Sequence, residues 1–86
     1  MNPSVGRIVH YVLPSGPSMG EHRAAIITRI WGSGEHASSV QLTVFTDSNA
    51  EGTYNDQIPN PLWATSVTED PTGVRHGSWH WPERVD

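Results

Sequence analysis

Cysteine and lysine are both missing from this 86-residue chain, and no apolar run in it is long. Without cysteine there is neither a disulfide framework nor a thiolate zinc site to staple the fold. Without lysine, positive charge rests on five arginines against nine acids, a net charge of −4 with the histidines neutral. Binding extended DNA or RNA takes many cations to displace counterions from phosphates, so no extended nucleic acid is expected as a partner. Sparse arginines suit one or two discrete anionic groups, gripped through the planar guanidinium fork. No stretch approaches the roughly 18 apolar residues of a bilayer span. The opening MNPSVGRIVHYVL is too short in its apolar run, and wrongly flanked, for a secretory leader. The expectation is a cytosolic protein with no membrane partner, free or assembled into something larger.

What is present is strand-forming sequence. RIVHYVL (7–13), RAAIITRIW (23–31), SVQLTVFT (39–46), LWATSV (62–67) and GSWHW (77–81) are rich in β-branched and aromatic residues and are separated by Gly, Pro and Ser clusters. The glycine-containing connection GSGEHAS predicts an antiparallel hairpin of the second and third strands. Residues 47–61 form a long irregular connection of the kind that is usually functional or mobile. No helical period is convincing and no repeat or second domain is visible. The fold class is all-β: a single domain, residues 1–86, built as a small five-stranded SH3-like or partly open β-barrel. A chain this short buries only roughly 60–65% of its unfolded surface, and association would help it.

The first two strands strengthen that point. Ile8, His10 and Val12 oppose Val9, Tyr11 and Leu13; Ala24, Ile26, Thr28 and Ile30 oppose Ala25, Ile27, Arg29 and Trp31. A sheet wetted on one face alternates apolar and polar residues, and these strands do not. Their second face is expected to be covered by the long loop or by a partner, of which a homo-oligomer is the simplest.

The residues that could carry function are aromatic. In a strand, Trp79 and Trp81 share a face and His80 points away from it. Either the two indoles close the core or a subunit interface, or they offer a stacking surface to a planar ligand, where one base on one ring contributes about 1–3 kcal/mol. In the second reading the contact residues are Trp79, Trp81 and Trp31 for stacking, Arg29 and Arg75 for phosphate, and His80 and Tyr54 for weaker polar contacts. The five histidines do not form a ligand pattern in sequence. His76 and His80 are four apart, which suits a helix but not this extended stretch, so no metal and no cofactor are expected. Ser, His and acidic residues occur without a nucleophile elbow or triad, and GSGEH lacks the lysine and helix of a phosphate loop. The chain is not expected to be an enzyme.

VGRIVHYVL, AAIITRIWG, QLTVFTDSN and GSWHWPERV together resemble a widespread group of small uncharacterised phage proteins of the actinophage type. In that group a G-R-I-V-H-Y opening, an I-x-R-x-W strand, a V-F-x-D strand and a terminal W-H-W-P recur. The resemblance covers nearly the whole chain and is weakest at 14–22 and 47–61. It implies a non-catalytic phage-encoded binding protein. The first role it suggests is a counter-defence sponge in the host cytoplasm, a homo-oligomer that sequesters a nucleotide-derived immune signal of the cyclic oligonucleotide or cyclic ADP-ribose type. The alternative is a virion component, decorating a capsid or connecting to a phage capsid or tail protein through an apolar strand face; a third is direct inhibition of a host enzyme.

Overall fold

A computed structural model describes residues 2–16, 18–32, 39–46 and 61–83. Five strands form along them: β1 (Ile8–Val12), β2 (His22–Trp31), β3 (Ser39–Val44), β4 (Leu62–Thr68) and β5 (Trp79–His80). All neighbours are antiparallel, in the order β4-β3-β2-β1-β5. The sheet curls into a half-barrel, and its two outermost strands come together at one point. There Glu69, just past β4, bridges to Trp79 of β5, and the Asp70 amide donates to the Trp79 carbonyl at 2.8 Å. Among the described residues there is no helix, so none that could cross a membrane.

The inward face carries the core. Val9, Tyr11 and Leu13, Ala25 and Ile27, Val40, Leu42 and Val44, Val67 and Trp79 form one buried cluster. Strict alternation over β1 and β3 puts these residues on one side because successive strand side chains point to opposite faces. Two irregularities bend the sheet around them. The register shifts between Ile27 and Arg29 in β2, and Thr65 and Ser66 of β4 stand opposite the single residue Gln41 of β3. Bulges of this kind sharpen local twist, and Ser66 takes the left-handed conformation there, φ 54°. After the β2 bulge, Ile30 rather than Arg29 returns to the core side.

The outward face is divided. Ile8, Ile26, Thr43 and Trp63 stand in register across four strands, with Ile8 and Trp63 each about 60% exposed (59% and 63%). Nearer β5 the same face is covered: Val12 is fully buried, and its backbone exchanges hydrogen bonds with Gly77 and Ser78. These in-plane bonds continue the β1–β5 pairing beyond Trp79.

The structure corrects one site residue outright. Trp79 is completely buried, paired with Tyr11 on the inward face, and cannot present its ring to a ligand. Of the two readings of the terminal tryptophans, the core reading holds for Trp79. We therefore expect Trp79→Ala to cost roughly 3–5 kcal/mol, as large-to-small aromatic changes in cores do, and Trp63→Ala to change stability by no more than about 0.5 kcal/mol. The midpoints of urea unfolding of the two variants check this; similar midpoints would contradict it.

Candidate metal centre

The same pairing that turns Trp79 inward turns His80 outward. His80 lies directly across from His10 on β1, and His22 begins β2 on the neighbouring strand, opposite Val12. All three imidazoles belong to the outward face because His10, Val12, His22 and His80 share one parity of the sheet. Chain past β5 then supplies Glu83. One ring nitrogen from each of His10, His22 and His80 and one Glu83 carboxylate oxygen all lie within 4.8 Å of one another. The Glu83 carboxylate meets every ring: Oε2 is 2.5 Å from His10 Nδ1, and Oε1 is 2.5 Å from His22 Nδ1 and 2.6 Å from His80 Nε2. His22 and His80 rings lie 4.6 Å apart, centre to centre, tilted by 67°, so their nitrogens converge rather than stack.

Burial grades across the cluster. The His80 side chain is 4% exposed, His10 29%, His22 33% and Glu83 45%. The histidines are anchored to hydrogen-bonded strands, whereas the carboxylate follows Pro82 on the solvent side. Burial by itself pushes the Glu83 carboxyl upward, but hydrogen bonds from its own amide, from His80 and from His10 outweigh it and bring the pKa down to about 2. Glu83 is therefore an anion at every ordinary pH.

A donor inventory shows what this arrangement demands. His22 Nε2 lies 3.0 Å from the Gly73 carbonyl. A carbonyl only accepts, so Nε2 carries the hydrogen and neutral His22 has its lone pair on Nδ1. That lone pair faces a carboxylate oxygen at 2.5 Å. Two acceptors at that distance require a proton between them, on Nδ1; a metal ion would need the carboxylate to stand farther off. An imidazole that donates its outer N–H to a backbone carbonyl is also the usual support of a metal-ligating histidine. The other nitrogen of His80, Nδ1, is buried with no hydrogen-bond partner, so the ring is held by packing and by its Nε2 side.

The loop 70–75 sets this support. Asp70 accepts from the Thr72 hydroxyl (2.7 Å), from the Arg75 amide (2.8 Å), and more weakly from the amides of Thr72 and Val74. The Thr72 hydroxyl is the largest cause, followed by the Arg75 amide, of a carboxyl pKa lowered to about 2. The turn ends with Gly73 in the left-handed region, φ +71°, where a Cβ would sit 3.2 Å from His80 Cε1 and 3.3 Å from His22 Cε1. Only glycine lets the backbone approach both rings this closely.

The other expected contact residues are dispersed. Trp81 meets Trp79 edge-on at 5.5 Å, and the Arg7 guanidinium lies 5.2 Å from its ring centre. Arg7 and Trp81, with Gly6, Ile8 and Pro82, line an open groove of about 500 Å³. Trp31 lies outside it at the end of β2, and Arg29 covers the Trp31 ring at 4.3 Å. Arg75 is exposed in the 70–77 loop, and its backbone braces Asp70 and Ser78. Tyr54 falls outside the described residues. A joint platform of Trp79, Trp81 and Trp31 is not assembled, because the first is buried and the third lies at the end of β2, outside the groove that Trp81 lines. His80 is not an isolated polar contact but the centre of the cluster. His76, its neighbour in sequence, instead faces Gly20, where a Cβ would stand 3.4 Å from its Nε2. The sequence reading missed His10, His22 and Glu83; the one local signal was the three-residue spacing of His80 and Glu83.

No protein-family model, curated protein or solved structure matches the chain.

Two outcomes follow from the loop. Asp70 has its pKa lowered in the folded state, so its contribution is present above the ordinary carboxylate value and is lost as pH falls toward 2; the amide resonances of Val74 and Arg75 should shift over that window, and in Asp70→Asn they should not. Gly73→Ala should weaken divalent-ion affinity by roughly 10–100-fold, the usual effect of disturbing support behind metal ligands. Gly6→Ala, which also has positive φ but meets nothing within 4 Å, is the matched control, and equal affinities in the two variants would remove Gly73 from the site.

Proposed function

We propose that this protein binds one divalent transition-metal ion of the zinc class through His10, His22, His80 and Glu83. The observation that carries the reading is the convergence of three imidazole nitrogens and a carboxylate within 4.8 Å, from three strands and a tail. A tetrahedron with bonds of about 2.0–2.1 Å has edges of about 3.4 Å. Contacts of 2.5–2.6 Å to Glu83 bring the carboxylate inside that figure by roughly 0.8–0.9 Å, so Glu83, on its exposed segment, must move outward by about that much to admit an ion. Three imidazoles with one carboxylate suit Zn²⁺, Co²⁺, Ni²⁺ or Cu²⁺ rather than Mg²⁺ or Ca²⁺, which take all-oxygen shells. The neutral His22 lone pair and the Glu83 charge then both find a partner in the same cation.

The function is one of binding, in line with the non-catalytic role expected from the sequence; the phage counter-defence role remains a proposal that the metal reading neither needs nor opposes. Isothermal titration of metal-free protein with Zn²⁺ should give one equivalent per chain. Free Zn²⁺ at 100 times its dissociation constant should stabilise the fold by about 2.7 kcal/mol, a rise in Tm of roughly 10–20 °C for a domain this size. His22→Ala should lose at least 100-fold in affinity. Uptake below stoichiometry, or uptake indifferent to His22, would overturn the assignment.

A further inference from the structure

His22 and His80 come from strands that do not pair. β2 and β5 lie on either side of β1, so the ladder alone leaves open how the two rings meet, 4.6 Å apart between centres. A second connection sets this, and it runs through the 70–75 turn. The Gly73 carbonyl accepts from His22 Nε2 at 3.0 Å. The Val74 amide belongs to the same planar peptide unit and donates to Oδ2 of Asp70 at 3.3 Å. The amides on either side, those of Gly73 and Arg75, donate to the Asp70 carbonyl at 3.0 Å and to Oδ2 at 2.8 Å.

Asp70 is tied to the other ring as well. Its own amide donates to the Trp79 carbonyl at 2.8 Å, and that carbonyl belongs to the peptide unit joining Trp79 to His80. One residue therefore reaches the peptide beside His80 through its main chain and the peptide that meets His22 through its side chain. The side-chain bonds of Asp70 all stay within the turn and are exposed to solvent. Water screens a charge in that position, so its influence on the centre is one of geometry.

We infer, resting on the metal reading, that Asp70 is a positioning residue of the centre. Through the Gly73–Val74 peptide it fixes Nε2 of His22 as the nitrogen that keeps its hydrogen and turns Nδ1 toward the ion, at a set distance from His80. A ligand held in one tautomer and one orientation before the ion arrives loses less freedom on binding it. The two carboxylate oxygens divide the work. Oδ1 takes the Thr72 hydroxyl and amide, which close the turn, whereas Oδ2 takes the Val74 and Arg75 amides, which aim the Gly73 carbonyl.

The test uses the full chain and two readouts: Zn²⁺ affinity by isothermal titration, and the His22 ring nitrogens of metal-free protein by long-range ¹H–¹⁵N NMR at a pH where the ring is neutral. Wild-type His22 should be the Nε2–H form. Asp70→Ala removes the carboxylate and leaves both main-chain bonds of residue 70; it should weaken Zn²⁺ binding by about 10-fold, the low end for support behind a ligand, and give a mixture of Nε2–H and Nδ1–H rings. Thr72→Val disturbs the same turn at Oδ1 only and should leave both readouts as in the wild type, which a merely structural role of the turn would not do. Asp70→Glu keeps the charge but moves the carboxylate by one methylene, so it should behave as Asp70→Ala does, and it decides the matter should that variant fail to fold. Wild-type affinity or an unaltered Nε2–H ring in the Asp70 variants overturns this inference and leaves the metal reading standing. Wild-type protein that takes up no Zn²⁺ overturns both.

Discussion

The antiparallel pairing of β1 with β5 is the constraint on which the rest depends. It is only two residues long, Tyr11 with Trp79 and His10 with His80, yet it sets both faces of the sheet. Strand geometry gives adjacent residues opposite sides, so burying the largest side chain of the core necessarily places His80 beside His10 on the other surface. A slip of one residue would expose the indole and bury the imidazole, and the energetic penalty of exposing a tryptophan fixes the register. Core packing thereby positions polar chemistry that takes no part in the core.

The loop between β4 and β5 completes this division. Asp70 folds the chain back on itself through its carboxylate, and the Glu69–Trp79 bridge fastens the turn to the final strand. Gly73 then delivers a carbonyl to His22. Each step uses a backbone group or a short side chain, which is how a chain with few charged residues arranges an electrostatically demanding cluster.

Much of the fold was legible in the sequence. β-branched and aromatic runs between Gly, Pro and Ser clusters located all five strands to within two residues at each end, and the β2–β3 hairpin followed from its short glycine-containing connection. The closing strand proved shorter than GSWHW, because Gly77 adopts φ +76° and Pro82 lacks an amide to continue the ladder. The cluster was illegible for a different reason. His10 and Glu83 are 73 residues apart, and no local spacing signals a contact made by strand order. Along the chain the one histidine pair at a ligand-like spacing, His76 with His80, is excluded by the extended backbone, whereas the sheet pairs His80 with His10. The stacking platform failed in a similar way: identical residue types at Trp79 and Trp81 have different fates, one sealed in the core and one at the rim of a groove.

The long sequence separation within the cluster has a consequence for the unfolded chain. An ion held by both His10 and Glu83 ties together positions at opposite ends of the sequence, and so acts as a cross-link. By the loop-closure relation used for disulfides, constraining a loop of that length lowers the entropy of the denatured ensemble by the equivalent of about 4 kcal/mol. That is comparable to the net stability many domains of this size possess. A chain that contains no cysteine has, in three histidines and a glutamate, the means to make a reversible equivalent of the bridge it lacks, one that opens with chelation instead of reduction.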